Sequence, residues 1–337
     1  MGRGIIILGC MLAFMLSPAP AMAASNAHKT KAVAAKKHMK SAANHLYSRK
    51  IISTLRANQH YRVQPVNYTR SDSVFQVSDS GQLRLESSKA LILNQNTGEV
   101  LYAKSTDVPT PIASVTKLMT AMVMLDAHLP MDEQIAISES DVDMLKGTSS
   151  RLRIDSRLSR TELLQLALMS SENRAASALA RTTYPEGLAV FVAAMNRKAT
   201  ELGMAHSHFA DGTGLNSENV STAEDLAKMV KAAYQYPEIR QVTTTASYEV
   251  PVHGVRRPVE FRNTNILVRN NTWDIGLSKT GYISEAGRCL VMQAQIAGQP
   301  LIIVLLDSWG KYSRIGDAQR IKKWIESSAG DVNRHVG

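Results

Sequence analysis

The stretch that most constrains this 337-residue chain is 111–123, where a proline is followed by a run of Leu, Met, Ala and Val. Pro111 is expected at or just ahead of the first turn of a helix that buries its apolar side. Ser114 and Lys117 are three residues apart, so on such a helix they share one face. The pattern therefore predicts a hydroxyl beside an amine at the start of a buried helix.

This pairing has a chemical meaning. A serine hydroxyl is a weak nucleophile at neutral pH and needs a base within hydrogen-bond reach. An amine can be that base only when it is neutral, and burial or a second cation nearby lowers the pKa of a lysine towards that state. The spacing alone also fits an ordinary polar patch at a helix start. Ser308 and Lys311 repeat it where a strand-to-loop turn is predicted, so the pair needs support from elsewhere.

Two further motifs provide that support. Ser-Glu-Asn at 171–173 lies between two helical patterns, and Lys-Thr-Gly at 279–281 lies just before the apolar run 289–296. Ser-x-x-Lys, Ser-x-Asn and Lys-Thr-Gly in this order form the signature of penicillin-binding proteins and class A β-lactamases. Lys279 is then the second cation whose charge would lower the pKa of Lys117.

A second Ser-x-Asn copy, at 217–219, competes with the first. It is followed by Ser-Thr-Ala-Glu at 221–224, the pattern of a capping box that opens a helix. We interpret 217–219 as a loop that leads into this helix, which leaves 171–173 as the candidate site motif.

The residues around the motifs closely resemble those of the low-molecular-mass penicillin-binding proteins, which are serine peptidases of the D-Ala-D-Ala carboxypeptidase family. Within this family the resemblance is greatest to the D-alanyl-D-alanine endopeptidases. The segments that carry the resemblance are 169–176 (MSSENRAA), 261–265 (FRNTN) and 277–282 (LSKTGY), and the likeness runs from about residue 89 to about residue 324. It implies an α+β fold of the β-lactamase/transpeptidase type, with an antiparallel sheet flanked by helices. The helix that carries the nucleophile packs against that sheet.

The resemblance implies three catalytic residues. Ser114 attacks the carbonyl of a D-alanyl peptide bond, Lys117 takes its proton, and Ser171 relays a proton towards the leaving amine. Asn173 holds a substrate amide and the Lys117 side chain.

Four residues near the second lysine are implied to bind substrate. Lys279 adds positive potential that keeps Lys117 neutral and attracts a carboxylate, and Thr280 hydrogen-bonds that carboxylate. Gly281 leaves the strand edge free of a side chain where substrate approaches. The backbone N–H groups of Ser114 and Tyr282 form the oxyanion hole.

The expected function is hydrolysis of D-alanyl cross-links in peptidoglycan by a D,D-endopeptidase through an acyl-enzyme, with β-lactams acylating the same serine. The alternative is a D,D-carboxypeptidase that removes terminal D-alanine. A β-lactamase is disfavoured because no clear Glu-x-x-Leu-Asn segment lies between 171–173 and Lys279. A non-catalytic envelope-binding protein is a further alternative. No cofactor and no metal are expected, and His206 and His208 are interpreted as loop residues.

The N-terminus predicts export to the periplasm. Arg3 precedes an apolar run at 5–16, and the small-x-small pattern at 21–23 predicts a signal peptide cut after Ala23. A lipoprotein cut ahead of Cys10 and an uncleaved anchor are the alternatives. Cys289, within a predicted strand, is interpreted as a buried apolar residue.

Residues 24–82 are interpreted as a basic and disordered segment. Residues 24–70 hold ten Lys and Arg and no Asp or Glu. Setting aside these ten and Arg3 leaves 28 of the 39 basic residues against 29 acidic ones, so the rest of the chain is near neutral. The segment is either a solvated linker or an adhesive for anionic envelope polymers or the membrane surface. Export argues against nucleic acid as its partner.

The catalytic domain is expected at 83–328, with a C-terminal tail at 329–337. Membrane-held relatives carry a further β-rich domain and an anchor helix, for which the remaining residues leave no room, so a soluble or loosely envelope-associated protein is expected. Other expected elements are a hairpin at 90–103, strands at 288–295 and 301–306 beside the Lys279 strand, and four helices. The helices are expected at 161–168, 174–181, 188–202 and 317–325.

Overall fold

The computed structural model describes residues 83–335, with side chains described as far as residue 328. The expected signal peptide at 1–23 and the basic segment at 24–82 lie outside the described residues. Within the described part of the chain, no helix is both long enough and apolar enough to cross a membrane.

The regular elements alternate between short strands and helices before a final run of three long strands and a helix. In chain order the strands are β1 (Lys89–Asn94), β2 (Val100–Lys104), β3 (Thr110–Pro111), β4 (Gln134–Ala136), β5 (Arg157–Ser159), β6 (Val220–Ser221), β7 (Ser247–Val250), β8 (Val259–Arg262), β9 (Asp274–Ile283), β10 (Gly287–Ile296) and β11 (Gln299–Ser308). The helices are α1 (Lys117–Asp126), α2 (Arg160–Met169), α3 (Asn173–Thr183), α4 (Leu188–Glu201), α5 (Ala223–Ala233), α6 (Pro237–Thr244), α7 (Ile266–Arg269) and α8 (Ser313–His335), with 3₁₀ turns at Ala113–Thr116 and Glu139–Asp141.

The main sheet has five antiparallel strands in the order β2-β1-β11-β10-β9. The sequences of strands β10 and β11 are nearly unbroken apolar runs because both faces of these strands are covered. Most of their residues are buried, and the exposed ones lie near the turn that joins the two strands. Three pairs of consecutive strands are hydrogen-bonded in this sheet, β1/β2, β9/β10 and β10/β11, so the predicted hairpins at 90–103 and 288–306 are confirmed. The prediction that the Lys279 strand lies beside the second hairpin is also confirmed.

Each face of the sheet supports its own apolar core. Helix α8 covers one face, where Ala318, Ile321 and Ile325 pack against residues such as Ile303 and Leu305. Short helix α7 adds Leu267 to the same core, whereas helices α2 to α6 cover the opposite face around α1, whose first eight residues are all buried. A helix buried on every side belongs in the centre of a core, so the α+β arrangement expected from the sequence is confirmed.

Element boundaries differ from the predictions in places. Helix α8 is longer than the predicted 317–325 and takes in most of 329–337, which was expected to be a tail. The predicted capping box at 221–224 is off by one residue, since Thr222 is the N-cap and its hydroxyl accepts from Asp225 N–H at 3.1 Å. Ser221 cannot be that cap because it lies in β6, paired with Thr110 of β3.

Candidate active site

Ser114 lies in the 3₁₀ turn that leads into α1, rather than on the α-helix itself. The residue before it, Ala113, has φ +48°, in the left-handed region that side chains rarely adopt. The loop that contains Gly214 packs directly against this turn, so closely that a Cβ on Gly214 would lie only 2.0 Å from Ala113 O. This packing holds the turn in place. Backbone strain of this kind persists where the surrounding structure enforces it.

Lys117 opens α1 and its side chain is fully buried. Its Nζ lies 2.9 Å from Ser114 Oγ, 2.8 Å from Asn173 Oδ1 and 2.6 Å from Thr213 O. Two of these partners can only accept, whereas the serine hydroxyl can also donate. A neutral amine would therefore give its two N–H groups to Asn173 and Thr213 and turn its lone pair towards the Ser114 hydroxyl.

The electrostatic setting favours that neutral form. Burial lowers the pKa of Lys117 to about 7, while the carboxylates of Asp211, Glu172 and Asp143 act in the opposite direction. The predicted lowering of this pKa is therefore present, but burial is its main cause rather than the second cation.

Lys279 lies on β9 and belongs to a separate group of polar side chains. Its Nζ donates to Ser171 Oγ and to Thr280 O, both at 2.8 Å. Burial lowers the pKa of Lys279 well below its ordinary value, with further lowering by the charges of Lys117 and Arg314. The repulsion between the two buried amines disfavours a state in which both are charged.

Ser171 and Asn173 stand at the junction of α2 and α3 and face different lysines. Ser171 has φ +61°, which turns its hydroxyl towards Lys279. Asn173 begins α3, one residue earlier than the predicted helix at 174–181, and its Nδ2 donates to Thr148 Oγ1 at 3.0 Å. The motif thus connects the two groups, because Asn173 contacts Lys117 and Ser171 contacts Lys279.

Gly281 sits where β9 passes the nucleophile turn. A Cβ there would lie 2.9 Å from Ile112 O, 3.0 Å from Ala113 Cβ and 3.1 Å from Ser114 N. The glycine was expected to free the strand edge for substrate, but its nearest neighbours belong to the turn itself. This close approach brings the backbone of β9 beside Ser114 N–H. Tyr282, the next residue, has an exposed side chain.

Several residues at the site were missed by the sequence analysis. The Thr213 carbonyl gave no signal because any residue offers a carbonyl. Thr264 Oγ1 accepts from Thr280 Oγ1 at 2.6 Å. Arg314, near the start of α8, donates to Gly281 O at 3.0 Å, and its buried Nε has no hydrogen-bond partner among the described residues. Arg314 thus adds a cation directly behind the Lys-Thr-Gly strand.

The described side chains, 83–328, include no cluster of three or more His, Cys, Asp or Glu that could hold a metal ion. His206 and His208 lie in the loop between α4 and β6, and His208 forms an isolated bridge with Val220. Cys289 is buried in β10, and burial raises the pKa of its thiol to about 11. A thiol held in its neutral form is a poor nucleophile.

Comparisons with known proteins agree with one another. Residues 75–310 match the family described as D-alanyl-D-alanine carboxypeptidase. The chain is 48% identical over 246 residues to the D-alanyl-D-alanine endopeptidase of Pseudomonas aeruginosa, a match covering 73% of this chain and 79% of that protein. It is 46% identical over 248 residues to the D-alanyl-D-alanine endopeptidase of Escherichia coli, covering 74% and 80%. The solved DD-transpeptidase of Streptomyces matches with a TM-score of 0.66 at 30% identity, over 72% of this chain and 97% of that one.

Proposed function

The chain belongs to the D-alanyl-D-alanine carboxypeptidase family of serine peptidases, and we propose that it hydrolyses D-alanyl cross-links in peptidoglycan as a D,D-endopeptidase. The observation that carries the proposal is the trio of contacts at Lys117 Nζ, two of them to obligate acceptors and one to the Ser114 hydroxyl. An amine held in this way can accept the serine proton. The endopeptidase assignment is supported by two relatives at 46–48% identity that carry that name.

The first half of the reaction forms an acyl-enzyme. Ser114 Oγ attacks the D-alanyl carbonyl carbon while its proton passes to Lys117 Nζ. The carbonyl oxygen becomes an oxyanion that accepts from the N–H groups of Ser114 and Tyr282. Loss of one such donor typically costs about 10²–10³ in rate.

The second step breaks the peptide bond. The leaving nitrogen takes up the proton that Lys117 received from Ser114, relayed by the Ser171 hydroxyl, which contacts Lys279 Nζ at 2.8 Å, so Lys117 becomes neutral again. The acyl group stays on Ser114 as an ester, which water then hydrolyses with Lys117 again as the base. Asn173 fixes Lys117 throughout and offers its side chain to a substrate amide.

The charge of the site selects the substrate. Arg314 places positive charge behind β9, and Lys279 Nζ and the Thr280 hydroxyl lie at the same edge as hydrogen-bond donors. These groups fit a carboxylate next to the scissile bond, as in a D-Ala-D-Ala end or its cross-linked equivalent. β-Lactams present a carboxylate beside a strained amide, so they acylate Ser114 as substrate mimics.

We further propose that the protein acts in the periplasm after removal of residues 1–23. The apolar run at 5–16 and the Ala-Met-Ala pattern at 21–23 support this. The basic residues of 24–70 then hold the enzyme near anionic envelope polymers or the membrane surface.

Mass spectrometry of the products tests the function. The chain from residue 24 onward and its Ser114→Ala variant are incubated with purified cross-linked muropeptide dimers and with monomeric pentapeptides. Conversion of dimers to monomers that requires Ser114 is the expected result. Loss of one alanine from pentapeptide with dimers untouched would instead make the enzyme a carboxypeptidase.

A further inference from the structure

A small cleft opens on the surface beside the Lys-Thr-Gly strand, at the end of the sheet where β9 meets β10. Its volume is about 140 Å³. We call it the Trp309 cleft and define it by four lining residues, Tyr282, Arg288, Trp309 and Lys311. It begins one residue beyond Gly281 and shares only Tyr282 with the residues assigned to the site at Ser114.

The sheet register builds this cleft. Arg288 of β10 lies opposite Tyr282 of β9 on one side and opposite Ser308 of β11 on the other. Paired residues on neighbouring strands point to the same face, so the three form a row across the sheet. Trp309 and Lys311 follow at once in the connection between β11 and α8. Ser308 Oγ contacts Ser87 Oγ, which donates to Asp317 of α8, so this row is on the α8 side of the sheet.

The cleft exposes aromatic rings together with cations. Trp309 is 78% exposed and Tyr282 is 57% exposed, fractions unusual for large rings. The guanidinium of Arg288 lies 4.6 Å from the centre of the Tyr282 ring, and Lys311 Nζ lies 5.4 Å from that of Tyr312. Each of these two tyrosine rings thus lies against one cation, which leaves the positive charge available to a ligand beside the ring.

The positive charge of the cleft is not neutralised within the described residues. Arg288, Lys311 and Arg314 form no ion pair with any carboxylate between residues 83 and 328. Two carboxylates close to the cleft along the chain are engaged elsewhere, since Glu285 pairs with Lys146 and Asp307 pairs with Lys89. A concave surface with unpaired cations favours an anionic ligand.

We propose that the Trp309 cleft binds the leaving half of a peptidoglycan cross-link, an acidic stem peptide, and so selects cross-links over terminal D-alanine. This inference rests on the proposed function. The carboxylate next to the scissile bond belongs to the leaving residue, and the site directs it to Lys279 and Thr280. In a pentapeptide the leaving residue is a single D-alanine that ends there. In a cross-link it continues into a second stem with carboxylates of its own, which the Trp309 cleft is placed to receive.

Binding and turnover are both measured, so that a failure of this site is distinguishable from a failure of the proposed function. Sugar-free cross-linked peptide dimers and monomeric tetrapeptides are titrated into the chain from residue 24 onward carrying Ser114→Ala, by calorimetry. The same protein is then tested with Trp309→Ala and Lys311→Gln together. Lys323→Gln is the matched control, because Lys323 is exposed on α8 and its loss removes the same charge away from the cleft.

The expected result is tighter binding of the dimer than of the monomer, with about a tenfold loss for the double variant and none for Lys323→Gln. With Ser114 intact, kcat/KM for dimers should fall by the same factor, while acylation by labelled penicillin stays within about twofold. Equal affinity for dimer and monomer would overturn the cleft assignment, even if the wild type cleaves dimers. An equal fall in penicillin acylation would also overturn it, by indicating a general disturbance of β9. If dimers bind in a manner that depends on the cleft but are not cleaved, the binding role of the cleft stands and the endopeptidase function is rejected.

Discussion

At the scale of single residues, the proposed role of Lys117 as the base predicts the pH dependence of acylation. Burial lowers its pKa to about 7, and only the neutral amine can take the proton of Ser114. The rate constant for acylation by labelled penicillin is therefore expected to rise with pH and to reach half of its maximum near pH 7. Stopped-flow measurements from about pH 5.5 to 8.5 check this. A rate that stays flat over that range would mean that another group is the base.

The same lowered pKa means that Lys117 decreases the free energy of unfolding as the pH falls towards neutral. The ordinary pKa of lysine is 10.5, so between pH 10.5 and 7 the unfolded chain binds a proton that the folded chain does not. The free energy of unfolding must then fall as pH falls through this window, and the loss is complete below pH 7. Relative to Lys117→Met, the wild type should lose about 2–3 kcal/mol between pH 9 and pH 6.

Urea unfolding of the two proteins at both pH values measures that difference directly. The comparison cancels groups that titrate in both proteins, so the change with pH is the quantity of interest. A difference that is the same at pH 9 and pH 6 would show that Lys117 remains protonated in the folded protein.

At the scale of elements, the contact between β9 and the nucleophile turn has no room for another carbon atom. A Cβ at Gly281 would lie 2.9 Å from Ile112 O and 3.1 Å from Ser114 N, and both are backbone atoms that cannot turn aside. We expect Gly281→Ala to cost about 1–3 kcal/mol of stability. It should also slow acylation by about 10²-fold or more, because one oxyanion donor moves.

Gly316→Ala is the matched control for this substitution. Gly316 lies in α8, and its Cβ would meet only the flexible end of the Arg320 side chain at 3.5 Å. Alanine is favoured over glycine in a helix by roughly 0.5–1 kcal/mol, so this variant should be slightly stabilised with unchanged acylation. Thermal melting and penicillin labelling compare the two. Full acylation by Gly281→Ala would contradict the close approach.

The second Ser-x-Asn copy is expected to act through its asparagine alone. Asn219 is fully buried, accepts from Ala210 N–H at 3.0 Å, and donates to Asp211 Oδ1 at 3.0 Å and Asn216 O at 2.9 Å. It thereby holds the loop whose Thr213 carbonyl contacts Lys117. Asn219→Ala should cost about 2–4 kcal/mol and slow acylation as that carbonyl moves.

Ser217→Ala provides the control, because the Ser217 hydroxyl makes no hydrogen bond among the described side chains and should be replaceable within about 0.5 kcal/mol. Melting curves and acylation rates for the two variants separate the roles. Loss of activity in Ser217→Ala would mean that the wrong copy of the motif had been assigned to the site.

Prediction from sequence succeeded where local pattern decides structure. The apolar runs of β10 and β11 and the helix predicted at 188–202 depend on local pattern, and all are present as expected, with the helix ending one residue earlier. The contact of Lys117 with Thr213 O joins residues 96 positions apart through a backbone atom, which no pattern marks. The left-handed turn of Ser171 and the true neighbours of Gly281 depend likewise on how distant elements pack. The one-residue error at Thr222 arose because pairing of Ser221 with Thr110 outweighed a good capping pattern.

At the scale of the whole molecule, the site lies at the interface between the helices around α1 and the five-stranded sheet. The helical side contributes Ser114, Lys117 and Asn173, and the sheet contributes Lys279. Arg314 adds its charge from α8 on the opposite face of the sheet. Each layer has its own core, so the separation of the two lysines is fixed by how α1 and its neighbours pack on β9. Activity is therefore expected to be sensitive to substitutions at this interface that leave both apolar cores intact.

Net charge is also unevenly placed along the chain, since ten Lys and Arg fall in 24–70 and the chain beyond is near neutral. If these residues hold the enzyme to anionic surfaces, the chain from residue 24 onward should bind vesicles of anionic lipid at low salt and be released as salt rises to about 0.5 M. A variant with all ten replaced by Gln keeps the length of the segment and should not bind. Cosedimentation measures both, and cleavage of soluble muropeptides serves as the control because the site residues are unchanged. Binding that survives the replacement, or that does not weaken with salt, would assign adhesion to another surface and reduce 24–70 to a linker.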